Sequence, residues 1–274
     1  MTGLPPPSHM QAARAWRDGA ARDMERAVAE ETPVALTYDG ATHAVMMATP
    51  ADLEDFAVGF SLTEGLIASH ADVIDLAIAA LPQGIDVRMW LTQSAGTAIT
   101  TRRRRLLGAS GCGMCGLESL AEANRPIPTI RAEPRLNAAT IAAALALLRP
   151  AQRLNATTHA MHAAAYFEPG SPLLLREDVG RHNALDKLAG ALARAGRDAA
   201  KGIVLLSSRI SVEMVQKAAM IGAPVIVAVS APTALAVRVA EAARITLVGI
   251  ARDDGFEIFT HLDRILTRDV AHVA

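Results

Sequence analysis

Residues 201–250 read KGIVLLSSRI SVEMVQKAAM IGAPVIVAVS APTALAVRVA EAARITLVGI, and this stretch decides the fold. Three apolar runs have the length of buried strands and lie at 203–206, 225–229 and 245–250. Apolar residues at helical spacing predict helices between those runs, at 211–221 and 233–243. Continuous apolar strands that alternate with helices are typical of a partly parallel sheet with helices on both faces. We therefore expect an α/β fold.

The residues before this stretch extend the pattern. A helix is predicted over 138–148, where Pro150 stops it, and another over 179–195, where Asp178 caps it. Two apolar runs flank a turn of Glu, Pro, Gly and Ser and predict a hairpin with strands at 162–167 and 173–176.

This order of elements resembles the cytidine deaminase-like fold. Enzymes of that fold hold zinc through a His or Cys near a Glu at one helix start, and through a Cys-x-x-Cys at the next. Here the first helix start reads Glu177-Asp-Val-Gly-Arg-His182 and the next reads Ser207-Ser-Arg-Ile-Ser211, without cysteine. The C-terminal part is therefore expected to be a deaminase-like mixed sheet whose zinc ligands have been lost.

The N-terminal third predicts a smaller α+β unit. A hairpin is expected with strands at 33–38 and 44–48 around Asp39-Gly40, which is a tight-turn signal. A helix should start near Asp52, for which Thr49 or Asp52 is the cap, and end near Glu64-Gly65. A further strand is expected at 85–92. We therefore divide the chain into a flexible tail with at most a short helix (1–30), an α+β domain that ends in a cysteine loop (31–135) and the deaminase-like domain (136–274).

Composition excludes several classes of protein. The 274 residues are 51% hydrophobic and 20% charged, which is enough apolar material for a core. Lys and Arg number 27 against 28 Asp and Glu, and aromatic residues make up 3%. Neither a basic field nor a base-stacking surface for nucleic acid is therefore expected. Three prolines near the start and the breaks within residues 218–237 argue against a signal peptide and a membrane span, so a cytoplasmic protein is expected.

The two cysteines of the chain lie in one motif, Gly111-Cys112-Gly113-Met114-Cys115-Gly116. Two thiols so close together are compatible with half of a zinc site, a redox pair, incidental residues or a sulfur-carrying thiolate on a flexible loop. The run Arg102–Arg105 lies just upstream and favours the thiolate, which is the reactive form of cysteine. We therefore favour the sulfur carrier, and a zinc-stabilised nucleotide-binding module without transfer chemistry is the alternative.

Polar residues follow the predicted strands at the points where ligands bind in α/β sheets. Arg181 and His182 start one helix, Ser208 and Arg209 precede the next, and His162 opens the hairpin. Helix capping and ion pairs within the segment 177–187 would explain part of this pattern. Hydroxyls, guanidinium groups and helix N-termini also suit phosphates, so these residues predict a site for a large phosphorylated ligand.

The sequence closely resembles the formate dehydrogenase accessory sulfurtransferase family (FdhD) over residues 30–265. The segments that carry the resemblance are Asp52–Phe60 with Thr63–Gly65, Gly111–Gly116, His162–Ala165, Arg176–Lys187, Ser208–Ser211 with Val215–Ala219, Ser230–Thr233 and Thr260-His261. The chain departs from the family pattern at His159-Ala160, where two glycines are usual, and at Ser208, where glycine is frequent. It also carries Asp253-Asp254 where a more basic loop is common.

The resemblance implies a cytoplasmic homodimer that transfers sulfur. A cysteine desulfurase would supply persulfide sulfur, Cys112 would carry it, and Cys115 would assist. The acceptor would be the molybdenum of a bis(molybdopterin guanine dinucleotide) cofactor, bound as substrate and needed by formate dehydrogenase. The stretch Ile250-Ala251-Arg252-Asp253-Asp254-Gly255 matches the cofactor-binding stretch of the family, and the protein would need no catalytic metal of its own.

Overall fold

The computed structural model describes residues 3–97, 99 and 126–267. It opens with an antiparallel hairpin of β1 (Ser8–Arg17) and β2 (Ala20–Ala29). Asp18 and Gly19 form the turn, with φ of 53° and 76°. A hairpin thus replaces the frayed tail and short helix that the sequence predicted. The Asp-Gly pair is the signal for it, since both turn residues need positive φ.

A four-stranded sheet follows, with strand order β4-β3-β6-β5. Its strands are β3 (Thr32–Tyr38), β4 (Ala41–Ala48), β5 (Val73–Leu81) and β6 (Gly84–Leu91). Helix α1 (Leu53–Thr63) covers one face through Phe56 and Phe60, which pack against the sheet. The predicted hairpin, helix and strand are confirmed. Periodicity does not reveal β5, because its exposed and half-buried residues do not alternate.

The larger sheet has six strands in the order β13-β12-β11-β10-β8-β9. They are β8 (His162–Phe167), β9 (Leu174–Asp178), β10 (Ile203–Leu206), β11 (Val225–Ala228), β12 (Thr246–Arg252) and β13 (Gly255–Ile258). The three central strands β10, β11 and β12 are parallel, and the other three run antiparallel to their neighbours. This confirms the partly parallel sheet. A short parallel pair, β7 (Leu136–Asn137) and β14 (Ile265–Leu266), lies beside it.

Helices cover both faces of this sheet. The C-terminal helices are α2 (Ala138–Ala151), α3 (Arg153–Thr158), α4 (Arg181–Arg194), α5 (Val212–Met220) and α6 (Ala234–Ala243). Helices α4, α5 and α6 share one core with the sheet, and α2 forms a second core on the other face. Within the part of the chain that the structure describes, no helix is long and apolar enough to cross a membrane.

Two predicted helix ends are wrong. Helix α2 continues through Pro150, which lies in its last turn, where the missing N–H removes one hydrogen bond and the helix ends anyway. Helix α4 begins at Arg181, because Asp178 belongs to β9 and Gly180 takes the N-cap position. At α1, Asp52 occupies the N-cap position with φ of 54° but makes no side-chain capping bond.

The two sheets are joined by a close crossing of α1 and α4. A Cβ atom on Gly59 would lie 1.7 Å from the carbonyl oxygen of Asp186, and one on Gly190 would lie 1.9 Å from that of Asp55. The backbones therefore approach to a distance that only glycine permits. Arg176 and Arg194 both bind the buried carboxylate of Asp55 across this crossing.

Candidate functional site

The carboxyl ends of β10, β11 and β12 meet at one edge of the six-stranded sheet, where a crevice of about 570 Å³ opens. Antiparallel β8 begins at the same edge, and the N–H of Ala163 donates to Ser207 Oγ at 2.8 Å. The crevice is lined by Leu145, Leu148, Arg149, Gln152, Asn155, Met161, His162, Ser207, Val229, Ala251, Arg252 and Asp253. Its position is that of ligand crevices in open α/β sheets.

The crevice has an apolar wall and two cations. Leu145 and Leu148 of α2 supply apolar surface, while the exposed side chains of Arg149 and Arg252 supply guanidinium groups. Guanidinium groups bind phosphate oxygens in pairs, and apolar surface suits the face of a ring. Asp253 adds a carboxylate that can accept hydrogen bonds from ring N–H groups. The arrangement suits a ligand with both a flat ring and phosphates.

The end of β12 is held in an unusual conformation. A β-bulge interrupts its pairing between Gly249 and Arg252, and Ile250 has φ of 50°. The N–H of Ile250 donates to the carbonyl of Ser230 at 3.2 Å. Positive φ is unfavourable for a β-branched residue, and strain of this kind tends to occur at functional sites. The bulge places Ala251, Arg252 and Asp253 on the crevice wall.

His162 lines the crevice and lies close enough to Arg181 for the two to interact electrostatically. Burial lowers its pKa from the ordinary value of 6.5, and the nearby Arg181 guanidinium lowers it further, while Asp178 opposes the shift. His162 is therefore neutral near pH 7. A neutral imidazole can both donate and accept a hydrogen bond with a bound ligand.

Arg181 and His182 start α4, and each has a buried nitrogen without a hydrogen-bond partner among the residues that the structure describes. Arg181 Nε and His182 Nε2 are buried and form no hydrogen bond with any residue in the described ranges. Burial lowers the pKa of His182, and Arg181 and Lys217 lower it further. Buried polar atoms are normally paired, so two unpaired ones at a helix N-terminus point to a missing ligand or water.

Ser208 and Arg209 follow β10, but neither contributes to the wall of the crevice. Ser208 is buried, and its hydroxyl donates to the carbonyl of Arg209 at 3.0 Å. Arg209 is exposed. Neither residue lines the crevice, whereas their neighbour Ser207 does.

Most of the segment Arg176–Lys187 is structural. Arg176 binds Asp55, and Glu177 accepts hydrogen bonds from the first N–H groups of α3 at 2.8 Å. Asp178 and Lys187 form a fully buried pair at 2.7 Å. Helix capping and ion pairing thus explain most of these residues, but they do not explain Arg181 and His182.

The predicted site residues divide into three groups. The structure brings His162, Ala251, Arg252 and Asp253 together on the crevice wall and places Ile250 at the bulge behind them. The crevice lining does not include Asp254, Gly255, Ser208, Arg209, Arg181 or His182. Cys112, Cys115 and Arg102–Arg105 lie outside the described residues.

Three polar residues of the crevice were not predicted from the sequence, namely Arg149, Gln152 and Asn155, whereas Ser207 belongs to the hydroxyl cluster expected after β10. Pro150 hid the first two, since it predicted an end of α2 before the crevice. Asn155 lies on α3, a helix of six residues whose start is held by Glu177 from another element. No local pattern predicts a helix of that kind.

His159 shows how the chain accommodates one departure from the family pattern. It follows α3 with φ of 55°, in the left-handed region that glycine adopts most easily. Its side chain is exposed, so histidine meets no steric obstacle beyond the backbone itself. The loop into Met161 and His162 therefore keeps a glycine-like conformation.

Across residues 3–97, 99 and 126–267, no three His, Cys, Asp or Glu side chains are grouped as ligands for a metal ion.

Comparisons with known proteins agree with this fold. The model of the FdhD/NarQ family matches residues 29–266. The sulfur carrier protein FdhD of Agrobacterium fabrum is 51% identical over 262 residues, which are 94% of this chain and 97% of that protein. The one from Cupriavidus necator is 50% identical over 95% of this chain and 91% of its own length.

A solved structure agrees as well. A crystal structure from Desulfotalea psychrophila, of a protein assigned as a formate dehydrogenase accessory protein, superposes with a TM-score of 0.73 at 27% identity. It covers 95% of this chain and 100% of that one. The sequence match and the common fold extend over both sheets, and the chain therefore belongs to the FdhD/NarQ family.

Proposed function

We propose that the chain is a sulfur carrier for the maturation of formate dehydrogenase. The observation that carries this proposal is membership of the FdhD/NarQ family over residues 29–266, a range that includes the Cys112–Cys115 motif. Relatives that share about half of their residues with this chain are named sulfur carrier proteins. Sulfur carriage needs a reactive thiol, and Cys112 and Cys115 are the two thiols of the sequence.

In the proposed reaction, the Cys112 thiolate attacks the terminal sulfur of a persulfide on a cysteine desulfurase. The sulfur–sulfur bond of the donor breaks, the donor keeps its cysteine thiolate, and Cys112 becomes the persulfide. Cys115 then attacks the inner sulfur of that persulfide. A Cys112–Cys115 disulfide forms and the outer sulfur leaves as sulfide, so two thiols supply the two electrons. A cellular dithiol must reduce the disulfide before the next cycle.

The acceptor in this proposal is the molybdenum of a bis(molybdopterin guanine dinucleotide) cofactor, bound as substrate. The crevice supports it, because guanine needs apolar surface and N–H acceptors while pyrophosphate needs guanidinium groups. Leu148 and Asp253 suit the base, and Arg149 and Arg252 suit the phosphates. Buried Arg181 Nε and His182 Nε2, both unpaired in the described part of the chain, would serve the rest of the ligand. We further propose that the protein acts as a cytoplasmic homodimer.

Maturation of formate dehydrogenase in cells that lack their own carrier tests the transfer. Cys112→Ala should abolish the activity of formate dehydrogenase in these cells. The circular dichroism and unfolding temperature of the purified Cys112→Ala carrier should equal those of the wild-type carrier. Full dehydrogenase activity with Cys112→Ala would refute the proposal.

Titration with GDP, as a probe for one guanine nucleotide end, tests the crevice separately. Arg149→Gln and Arg252→Gln should each weaken GDP binding about tenfold, since each removes a charged hydrogen bond to phosphate. Arg238→Gln, an exposed position on α6 that lines neither the crevice nor the polar cavity around Arg244, is the matched control and should bind GDP as the wild type does. Equal GDP affinity in all three variants would move the cofactor site away from the crevice.

A further inference from the structure

A second polar cavity lies at the opposite end of the strands of the six-stranded sheet, near the start of β12. It encloses about 280 Å³ and is lined by Glu133, Arg135, Arg244, His261, Asp263 and Arg264. Arg244 directly precedes the β12 region, whereas the crevice lies where β12 ends. His261 follows β13, which runs antiparallel to β12 and so ends beside the start of β12. The cavity is therefore separate from the crevice.

Three guanidinium groups meet there with two carboxylates. Arg264 has only 6% of its side chain exposed, and its Nη1 donates to the carbonyl oxygen of Arg244 at 2.7 Å. Burial lowers the pKa of Arg264 and the charge of Arg244 lowers it further, while Asp263 and Glu241 oppose the shift. Two like charges in a partly buried place repel each other unless an anion lies between them. The cavity therefore favours an added negative charge.

The carboxylate of Glu133 is an anion already bound between two of these arginines. It accepts an ion pair from Arg244 and lies 4.0 Å from Nη2 of Arg264. More than half of the Glu133 side chain is exposed, so it leaves this position at little cost. A free oxyanion with more charge and more acceptor oxygens can take the place of this carboxylate.

His261 completes the cavity with an unused nitrogen. Thr260 holds it in place, because Thr260 Oγ1 donates to Ile245 O and accepts from Leu247 N–H, both at 2.7 Å. His261 Nδ1 lies 3.9 Å from Glu241, while Nε2 is buried and forms no hydrogen bond with any residue that the structure describes. An imidazole nitrogen in this state can donate to an oxyanion. The Thr260-His261 motif thus has one structural residue and one that faces the cavity.

We propose that this cavity binds a phosphate dianion, held by Arg244 and Arg264 and assisted by Arg135 and His261. Phosphate offers four oxygens to a fork of guanidinium donors, which suits it better than the single carboxylate of Glu133. The proposal does not rest on the sulfur-carrier function, and the two cavities share no lining residue.

Calorimetric titration with inorganic phosphate tests this site. The full chain is used with Arg149→Gln and Arg252→Gln in place, so that the crevice has lost its guanidinium groups. In this background we expect one phosphate to bind. Adding Arg244→Gln should weaken binding about tenfold, and adding Glu133→Gln should strengthen it about fivefold by removing the competing carboxylate.

Arg135→Gln provides a second variant, since its exposed side chain is not needed for folding. It should also weaken phosphate binding, and the unfolding temperature of each variant shows whether it has folded. Absence of phosphate binding in the crevice-silenced background would overturn the proposal. So would a Glu133→Gln variant that binds phosphate no better, or an Arg244→Gln variant that binds it equally well.

Discussion

At the scale of single residues, Asp178 and Lys187 carry opposite charges in a place that water does not reach. Both side chains are fully buried, and Lys187 Nζ lies 2.7 Å from Asp178 Oδ2. Asp178 also accepts the N–H of Thr49 and an N–H of the Asn183 amide, and Lys187 donates to the carbonyl of Thr49. This one network connects the end of β4 to β9 and α4. It orients the segment from which Arg181 and His182 project.

Removing one partner of this pair should be costly. Lys187→Met leaves the Asp178 charge buried without its cation, which lowers the free energy of unfolding by about 3–5 kcal/mol. The Asp178→Asn, Lys187→Met double variant should lose less than the sum of the two single variants, because the charges disappear together. Urea unfolding measures the cycle, and additive losses would show that the pair is not coupled.

Two partly buried histidines, His162 and His182, should make stability depend on pH. The pKa values of His162 and His182 are lowered by burial and by Arg181, so the unfolded chain binds protons that the folded one does not. Stability from these groups is therefore complete above about pH 6.5 and is lost as the pH falls below that value. The His162→Gln, His182→Gln variant should show a flatter decline in unfolding free energy between pH 7 and pH 5. An unchanged slope would contradict this.

At the scale of elements, the contact between α1 and α4 depends on glycine. Gly59→Ala would place a methyl group 1.7 Å from the Asp186 carbonyl oxygen, so the helices must separate. We expect a loss of about 3 kcal/mol in unfolding free energy, despite the better helix propensity of alanine. Gly40→Ala is the matched control: its φ is 81°, it has no neighbour within 4 Å, and it should cost about 1 kcal/mol. Equal losses for the two would contradict the close crossing.

The hairpin of β1 and β2 should be dispensable for folding. Its strands pair only with each other, and no residue of theirs belongs to the three apolar cores of the described chain. An isolated two-stranded hairpin adds little stability. A chain that begins at Glu31 should therefore unfold within a few degrees of the full chain by circular dichroism. A loss of cooperative unfolding would show that the contact between β2 and α3 is essential.

The elements that could be predicted are those whose own residues carry a clear hydrophobic pattern. The strands β10, β11 and β12 are short and apolar on both faces, so the stretch 201–250 reveals them directly. β5 and the first hairpin have irregular or exposed surfaces, and their hydrophobic pattern carries little information. Pro150 was a misleading signal, since a proline in the last turn of a helix removes only one hydrogen bond.

At the scale of the whole molecule, the residues after the strands and the family resemblance predicted a ligand site at this edge of the sheet. Of the predicted residues, His162 and Ala251–Asp253 line the crevice, whereas Arg181, His182, Ser208 and Arg209 do not. The sequence did not reveal that Arg176, Asp178 and Lys187 hold the two sheets together. The partners of Arg176 and Asp178, Asp55 and Thr49, are 121 and 129 residues away. Contacts of that range appear only when the chain is folded.

The central claim is that Cys112 carries sulfur, and peptide mapping by mass spectrometry tests it most directly. The protein is incubated with a cysteine desulfurase and cysteine, and the peptide that contains both cysteines is fragmented without reduction to locate the added sulfur. We predict that the peptide with Cys112 gains the mass of one sulfur atom, that Cys115→Ala retains this gain, and that Cys112→Ala loses it. A protein that gains no sulfur, or gains it equally after Cys112→Ala, would contradict the account.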